Sequence, residues 1–179
     1  MSQALQSQSD DAAGLPSAPR MDRVMAWLAE PAQRLARMLQ DTHGFAAVRH
    51  VSLSVYEAAT DMLWAFSCTP EGGGPIEIDE IEISDAPSLA LMMGSTEPRI
   101  VSDLAEFAEV SRYHTNGARA SGCRSSMTVP IHHDDDFRGF AIFGATRPGF
   151  FDPATRDVLE TFAEAFAILI SRAMDEAAA

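Results

Sequence analysis

The hydrophobic patterns along the chain predict an α+β fold, a sheet made of hairpins with a helix at each end of the sequence. Three observations carry this expectation. His50–Tyr56 alternates, with Val51, Leu53 and Val55 on one side and Ser52 and Ser54 on the other, which marks a half-buried strand. Met127, Val129 and Ile131 alternate with Ser126, Thr128 and Pro130, and an acidic turn then leads into the almost continuously apolar run Phe137–Phe143. Such a run reads as a central strand covered on both faces. Asp152 and Pro153 open an amphipathic helix that runs to the end of the chain; Asp suits the N-cap and Pro the first helical position.

Taken in order, residues 1–20 are rich in Ser, Gln, Asp, Ala and Pro. They bury too little apolar surface to offset ordering entropy and are expected to form a disordered tail. A domain over residues 21–176 and a frayed end at 177–179 follow. Met21–Gln40 is helical in pattern, with Val24, Leu28, Leu35 and Met38 on a heptad-like spacing and Pro31 at the intervening seam position. Proline there either kinks the helix or opens a second one. Gly44 suits the stop.

After the His50–Tyr56 strand, Glu57–Asp61 is a hairpin turn and Met62–Cys68 the return strand. Glu71–Pro75 is a Gly-rich loop. Ile76 and Ile78 share one strand phase and Ile81 and Ile83 the other, so a bulge or break is expected at Asp79-Glu80. Ala86–Thr96 reads as a short helix burying Leu89, Met92 and Met93, Arg99–Val101 as a brief strand, and Phe107–Ser121 as helical or irregular up to Gly122. Pro130 removes a ladder donor and must sit where none is needed. His132–Asp136 is the second hairpin turn. In the final helix Leu159, Phe162, Phe166, Leu169 and Ala173 follow a 3-4 spacing, with Val158, Ala163 and Ile170 on a flank. Either one stripe meets the sheet and the other a partner chain, or both form one broad core-facing stripe.

Composition narrows the function. Lys and Arg number 13 against 26 Asp and Glu, a net charge of −13. That argues against a nucleic-acid surface or an anionic membrane surface, both of which need clustered cations. No apolar run reaches the ~20 residues of a membrane helix, and the N-terminal residues lack the apolar core of a secretory signal. Two cysteines, Cys68 and Cys123, make no disulfide framework, so a cytoplasmic setting is expected.

Ser121–Ile131, then Arg138–Phe143, then Phe150–Phe166 resemble the GAF domain family: a small-residue run into a Val-Pro strand, a Gly-led return strand and a capped helix. Pro98–Leu104 resembles the family's short strand and following Asp. The resemblance spans about residues 22–175. It implies a central antiparallel sheet, the terminal helices on one face and a ligand pocket on the other. It also implies a sensory or regulatory role and a homodimer joined through the terminal helices. The ligand or cofactor is left unknown, and an output domain or a protein acting in trans is the expected signalling partner.

Pocket candidates under that resemblance are Phe66, Cys68, Met92, Asp103, Tyr113, His114, Cys123, Ser126 and Thr128. The dimer-helix candidates are Leu159, Phe162, Phe166 and Leu169. Cys123 has a functional reading only as a thiolate, which Arg119 and Arg124 nearby in sequence would favour; its plain reading is a small buried hydrophobe. Tyr113-His114 stands where bilin-binding relatives place Cys-His, so covalent bilin attachment is not expected. The free methionine sulfoxide reductases of the family use several cysteines in the middle segment, where Leu89–Pro98 has none. His132–Asp136 reads as a solvated turn and no metal is expected, because neighbours on an extended chain point to opposite faces. A sensory module is therefore the expected function. Its alternatives are a ligand-free dimerisation module and a Cys-dependent redox enzyme of the reductase type.

Overall fold

The structure, a computed structural model, describes residues 17–72, 76–107 and 118–178. Helix α1 is Ser17–Asp41, strand β1 is Val48–Glu57 and β2 is Met62–Cys68. Strand β3 is Asp79–Glu82, followed by a 3-10 turn at Ile83–Asp85 and the one-turn helix α2 at Pro87–Ala90. Strand β4 is Arg99–Val101, and a second 3-10 turn covers Leu104–Phe107. Strands β5, Ser125–His133, and β6, Asp136–Ala145, form a hairpin, and helix α3 is Pro153–Ala178. All strand pairings are antiparallel, in the order β3-β2-β1-β6-β5-β4.

Two hairpins thus lie side by side, joined by β1 against β6 at the centre. Asp134 and Asp135 form the β5–β6 turn with φ of 51° and 66°, as a two-residue hairpin turn demands. The turn is tighter than expected, since His132 and His133 belong to β5. Pairing of β4 with β5 stops at Arg99 and Thr128. Pro130 lies beyond it, where the outer edge of β5 has no strand to donate to.

The strand period of two divides the core. Val51, Leu53 and Val55 of β1, Met127, Val129 and Ile131 of β5, and Ala141, Phe143 and Ala145 of β6 pack under α1 and α3. Phe140 and Ile142 face the opposite side and pack with Ile81, Ile83, Leu89 and Met92. The phase slip before β3 is therefore a change of face: Ile78 packs under the helices, whereas Ile81 and Ile83 pack on the other side. Only Asp79–Glu82 is strand, and Ile76 is exposed.

Helix α1 begins at Ser17, inside the stretch expected as tail, and runs unbroken through Pro31. Its buried stripe is Met21, Val24, Met25, Leu28, Ala32, Leu35 and Leu39. Met38 is exposed instead of extending that stripe, because the 3.6-residue period carries it off the core side. The expected helix over Ala86–Thr96 is only the one turn of α2 followed by turns, and Leu91 projects into solvent. Asp152 caps α3 through the Thr155 N–H at 2.9 Å. At the far end Arg23 of α1 donates to the Ala177 carbonyl at 3.1 Å, tying the two helices together.

Candidate functional site

The face of the sheet turned away from the helices is where the resemblance expects a pocket, and strand register orders its residues in three rows. Ala65, Ser54, Phe140 and Pro130 make the first row. Ser52, Ile142, Thr128 and Arg99 make the middle row, and His50, Gly144, Ser126 and Val101 the third. Ser52, Ser54, Ser126 and Thr128 are all buried, so the polar side of β1 and β5 is covered by protein and not exposed.

Two small apolar clusters bracket the middle row. Met92, Leu89 and Ile83 close over Phe140 and Ile142 on one side. Val101, Leu104, Ala118 and Cys123 form the other. Gly144 makes the second cluster fit: a Cβ there would stand 2.8 Å from the Cys123 Sγ and 3.1 Å from the Cβ atoms of Ala118 and His50. The Cys123 thiol and the His50 Cβ thus share the space above one glycine. Between the clusters the middle row keeps its polar groups, with the Ser52 hydroxyl donating to the Phe66 carbonyl at 3.0 Å.

His50 is 3% exposed, and its Nδ1 lies 3.1 Å from the Ser121 Oγ. Burial pushes its pKa down to about 4. Burial pushes the Cys123 thiol up to about 11, although the Arg49 backbone N–H and charge pull the other way. Both groups are therefore neutral near neutral pH. Arg119 and Arg124 do line a surface cleft of about 260 Å³ with Cys123, but they do not make it a thiolate. Arg119 donates to the Leu104 carbonyl at 3.1 Å. Arg124 grips Asp103 through Nε at 3.2 Å and a terminal nitrogen at 2.8 Å.

The expected pocket residues separate accordingly. Ser126, Thr128, Met92 and Cys123 share the face away from the helices, Met92 and Cys123 as parts of its two clusters. Phe66 and Cys68 lie on the helix side. Every residue of Leu63–Phe66 is apolar, so alternation alone does not tell the two sides of β2 apart. Burial pushes the Cys68 thiol up to about 11 as well. Asp103 sits in a partly exposed ion pair whose guanidinium holds its carboxyl below the usual range. That pair ties the Leu104 turn to the start of β5. Tyr113 and His114 lie outside the described residues. His50, Ser52, Arg99 and Gly144 complete the rows without having been singled out; their only signal was strand phase, read together with a register that the sequence does not print.

On the helix side, α1 and α3 leave an apolar groove of about 560 Å³ lined by Trp27, Pro31, Met38, Phe162 and Leu169, with Glu30 and Arg34 also on it. The expected dimer seam divides here. Leu159 is 0% exposed and Phe166 4%, both packed in the chain's own core. Phe162 and Leu169 are half-buried along the groove. Ala163 and Ile170 meet the sheet side as expected, whereas Val158 points outward.

Comparison with known proteins matches the profile of the GAF domain to residues 28–171. No curated protein matches the sequence. Among solved structures, the type II free methionine-R-sulfoxide reductase of Thermoplasma acidophilum is similar at 15% identity and TM-score 0.60, over 83% of this chain and 95% of that one. The phycoerythrobilin-bound GAF domain of a cyanobacterial phytochrome is similar at 14% identity and TM-score 0.58, over 90% and 98%. The GAF domain of a two-component sensor histidine kinase from Bacillus halodurans is similar at 13% identity and TM-score 0.58, over 85% and 94%. At these identities the likeness is one of fold. No helix of the described residues is long and apolar enough to cross a membrane.

Proposed function

The chain belongs to the GAF domain family, whose general role is sensory and regulatory, and from that premise we propose that it senses a small molecule held over the middle row of the sheet. Strand β5 carries this reading. Its odd-numbered residues Met127, Val129 and Ile131 lie in the core under the helices, and its even-numbered residues Ser126 and Thr128 face the opposite side of the sheet. A displacement of β5 by a ligand on one side is transmitted by close packing to α3 on the other. The ligand shifts α3 only by its differential affinity for the two positions of the strand. Helix α3 then passes the change to a second copy or to an output protein. The two free cysteines, Cys68 and Cys123, fit a reducing, cytoplasmic setting.

Native mass spectrometry of the protein purified from its own host tests the reading. A small molecule is expected to accompany the wild type and to be lost when Thr128→Phe fills the middle row. A bare chain mass in every preparation favours the ligand-free dimerisation module instead.

A redox enzyme working through Cys123 is the second reading, favoured by the fold likeness to the reductases. Cys68 lies on the opposite side of the sheet, so it does not supply a resolving thiol and an external thiol must reduce the oxidised cysteine. Turnover of free methionine-R-sulfoxide with dithiothreitol, abolished by Cys123→Ser, establishes this reading; no turnover removes it.

A further inference from the structure

We propose that His50 is a proton-sensitive latch that holds the Ala118–Arg124 turn, and with it the Cys123 thiol, against the centre of the sheet. The turn is anchored to β1 and β6 at several points, the Arg49 backbone N–H on the Cys123 thiol among them. The Ser121 hydroxyl meets the His50 Nδ1 at 3.1 Å. The Cys123 Sγ and Ala118 Cβ occupy the space above Gly144 beside the His50 Cβ. The Arg124 N–H donates to the Ala145 carbonyl at 2.7 Å. Within the turn, the Gly122 N–H reaches the Arg119 carbonyl at 2.9 Å and the Cys123 N–H the Ala118 carbonyl at 3.0 Å. The Arg124 amide, whose bond crosses to β6, reports directly on whether the turn is docked.

Among the described residues no carboxylate balances a proton on the imidazole, whose pKa burial lowers. The Cys123 thiol beside it is neutral. The rest of its row holds Gly144, the Ser126 hydroxyl and Val101. The nearby charges on β1 and the turn are the guanidinium groups of Arg49, Arg119 and Arg124. Two of the neighbouring carboxylates are already engaged, Glu71 by Arg49 and Asp103 by Arg124. Closing the turn therefore excludes water from a base that has no counter-ion among the described residues, and undocking restores its solvation.

The sign follows from linkage. Docked, His50 titrates near 4; exposed, it returns toward 6.5. Below 6.5 the undocked turn binds a proton that the docked turn refuses, so acidification favours release. Between about pH 7.5 and about pH 5.5 the opening constant rises about tenfold. The proton enters at the imidazole and leaves on redocking, and no other group changes state.

Hydrogen exchange of the whole chain tests this, with rates corrected for the intrinsic pH dependence of amide exchange. Protection of Arg124 is expected to fall about tenfold over that range, while the α3 amides hold theirs. His50→Gln keeps a hydrogen-bonding partner for Ser121 without the proton and should flatten the response. Ser121→Ala should lower protection at neutral pH and keep the pH dependence. NMR titration of the His50 ring in the wild type gives a second measurement, independent of whether the variants fold. Unchanged protection in the wild type, an equal fall in His50→Gln, or a ring that titrates near 6.5 in the docked protein overturns the proposal.

Discussion

Gly139 shows how far one residue constrains the sheet. Its φ is +151°, and a Cβ there would stand 1.9 Å from the Ser54 carbonyl oxygen of β1. The obstacle is backbone at the central strand pair, so nothing flexible is available to move aside. Gly139→Ala is expected to cost about 3 kcal/mol or more, since it combines strain at a special φ with a forced separation of β1 and β6. Urea unfolding measures it, and a loss of under about 1 kcal/mol would show that the two strands yield. Gly144→Ala presents a different neighbour, because the Cβ meets a thiol and a turn that can shift. Its expected cost is smaller, about 1–2 kcal/mol, and its signature is faster alkylation of Cys123 in a Cys68→Ser background. If Gly144→Ala leaves the alkylation rate unchanged, the packing of Cys123 over this glycine is not what shields it.

Among the elements, α1 carries an evident internal cost. Pro31 has no N–H, so the Trp27 carbonyl lacks its usual partner one turn later, and both residues line the groove. Pro31→Ala restores the bond and is expected to stabilise the chain by about 1–3 kcal/mol in urea melts at low protein concentration. A destabilised variant would mean that the ring's packing in the groove outweighs the missing bond. The cap of α3 is a smaller contribution with a clear pH sign. The Thr155 N–H holds the Asp152 carboxyl below its ordinary pKa, so the cap is complete above the unfolded-state pKa and is lost as pH falls through the folded one. Asp152→Asn, which still caps but does not titrate, should make acid unfolding less steep. The elements with a strict period were the legible ones: β1, β5, β6 and the start of α3 stand where alternation and capping chemistry put them. Hydroxyl groups do not by themselves mark exposure: Ser126 and Thr128 are polar and yet buried. The β2 candidates Phe66 and Cys68 lie on the helix side of the sheet. Phase separates Phe66 from Ala65 but does not say which one the helices cover; the pairing of β2 with β1 decides that.

For the whole molecule, a single sheet with both long helices on one side leaves the α1–α3 groove facing outward, with no second layer over it among the described residues. Among the described residues, four of the six exposed large apolar ones belong to these helices: Trp27, Met38, Val158 and Ile168. A second copy covering this face is the dimer expected from the sequence, and the structure says which substitutions discriminate. Trp27 is 38% exposed and Ile168 61%. Trp27→Glu and Ile168→Glu, both at exposed positions, should shift the sedimentation profile to monomer with little loss of monomer stability. Leu159→Ala, inside the core, should cost about 2–5 kcal/mol through the cavity it leaves and still dimerise at temperatures where it is folded. Net charge adds an independent handle. Each chain carries −13, so two copies repel before they touch. Repulsion between exposed charges is screened within about 10 Å at ordinary salt. The apolar groove is not weakened by salt, and the Glu30–Arg34 pair on it is already neutralised within one chain. Association should therefore tighten as sodium chloride rises from about 0.02 M to about 0.5 M. A dimer that instead loosens with salt would have to be held by ion pairs between copies, and the groove would not be its interface. A wild type that stays monomeric at every salt and protein concentration removes the dimer altogether and leaves α3 to signal to a different protein.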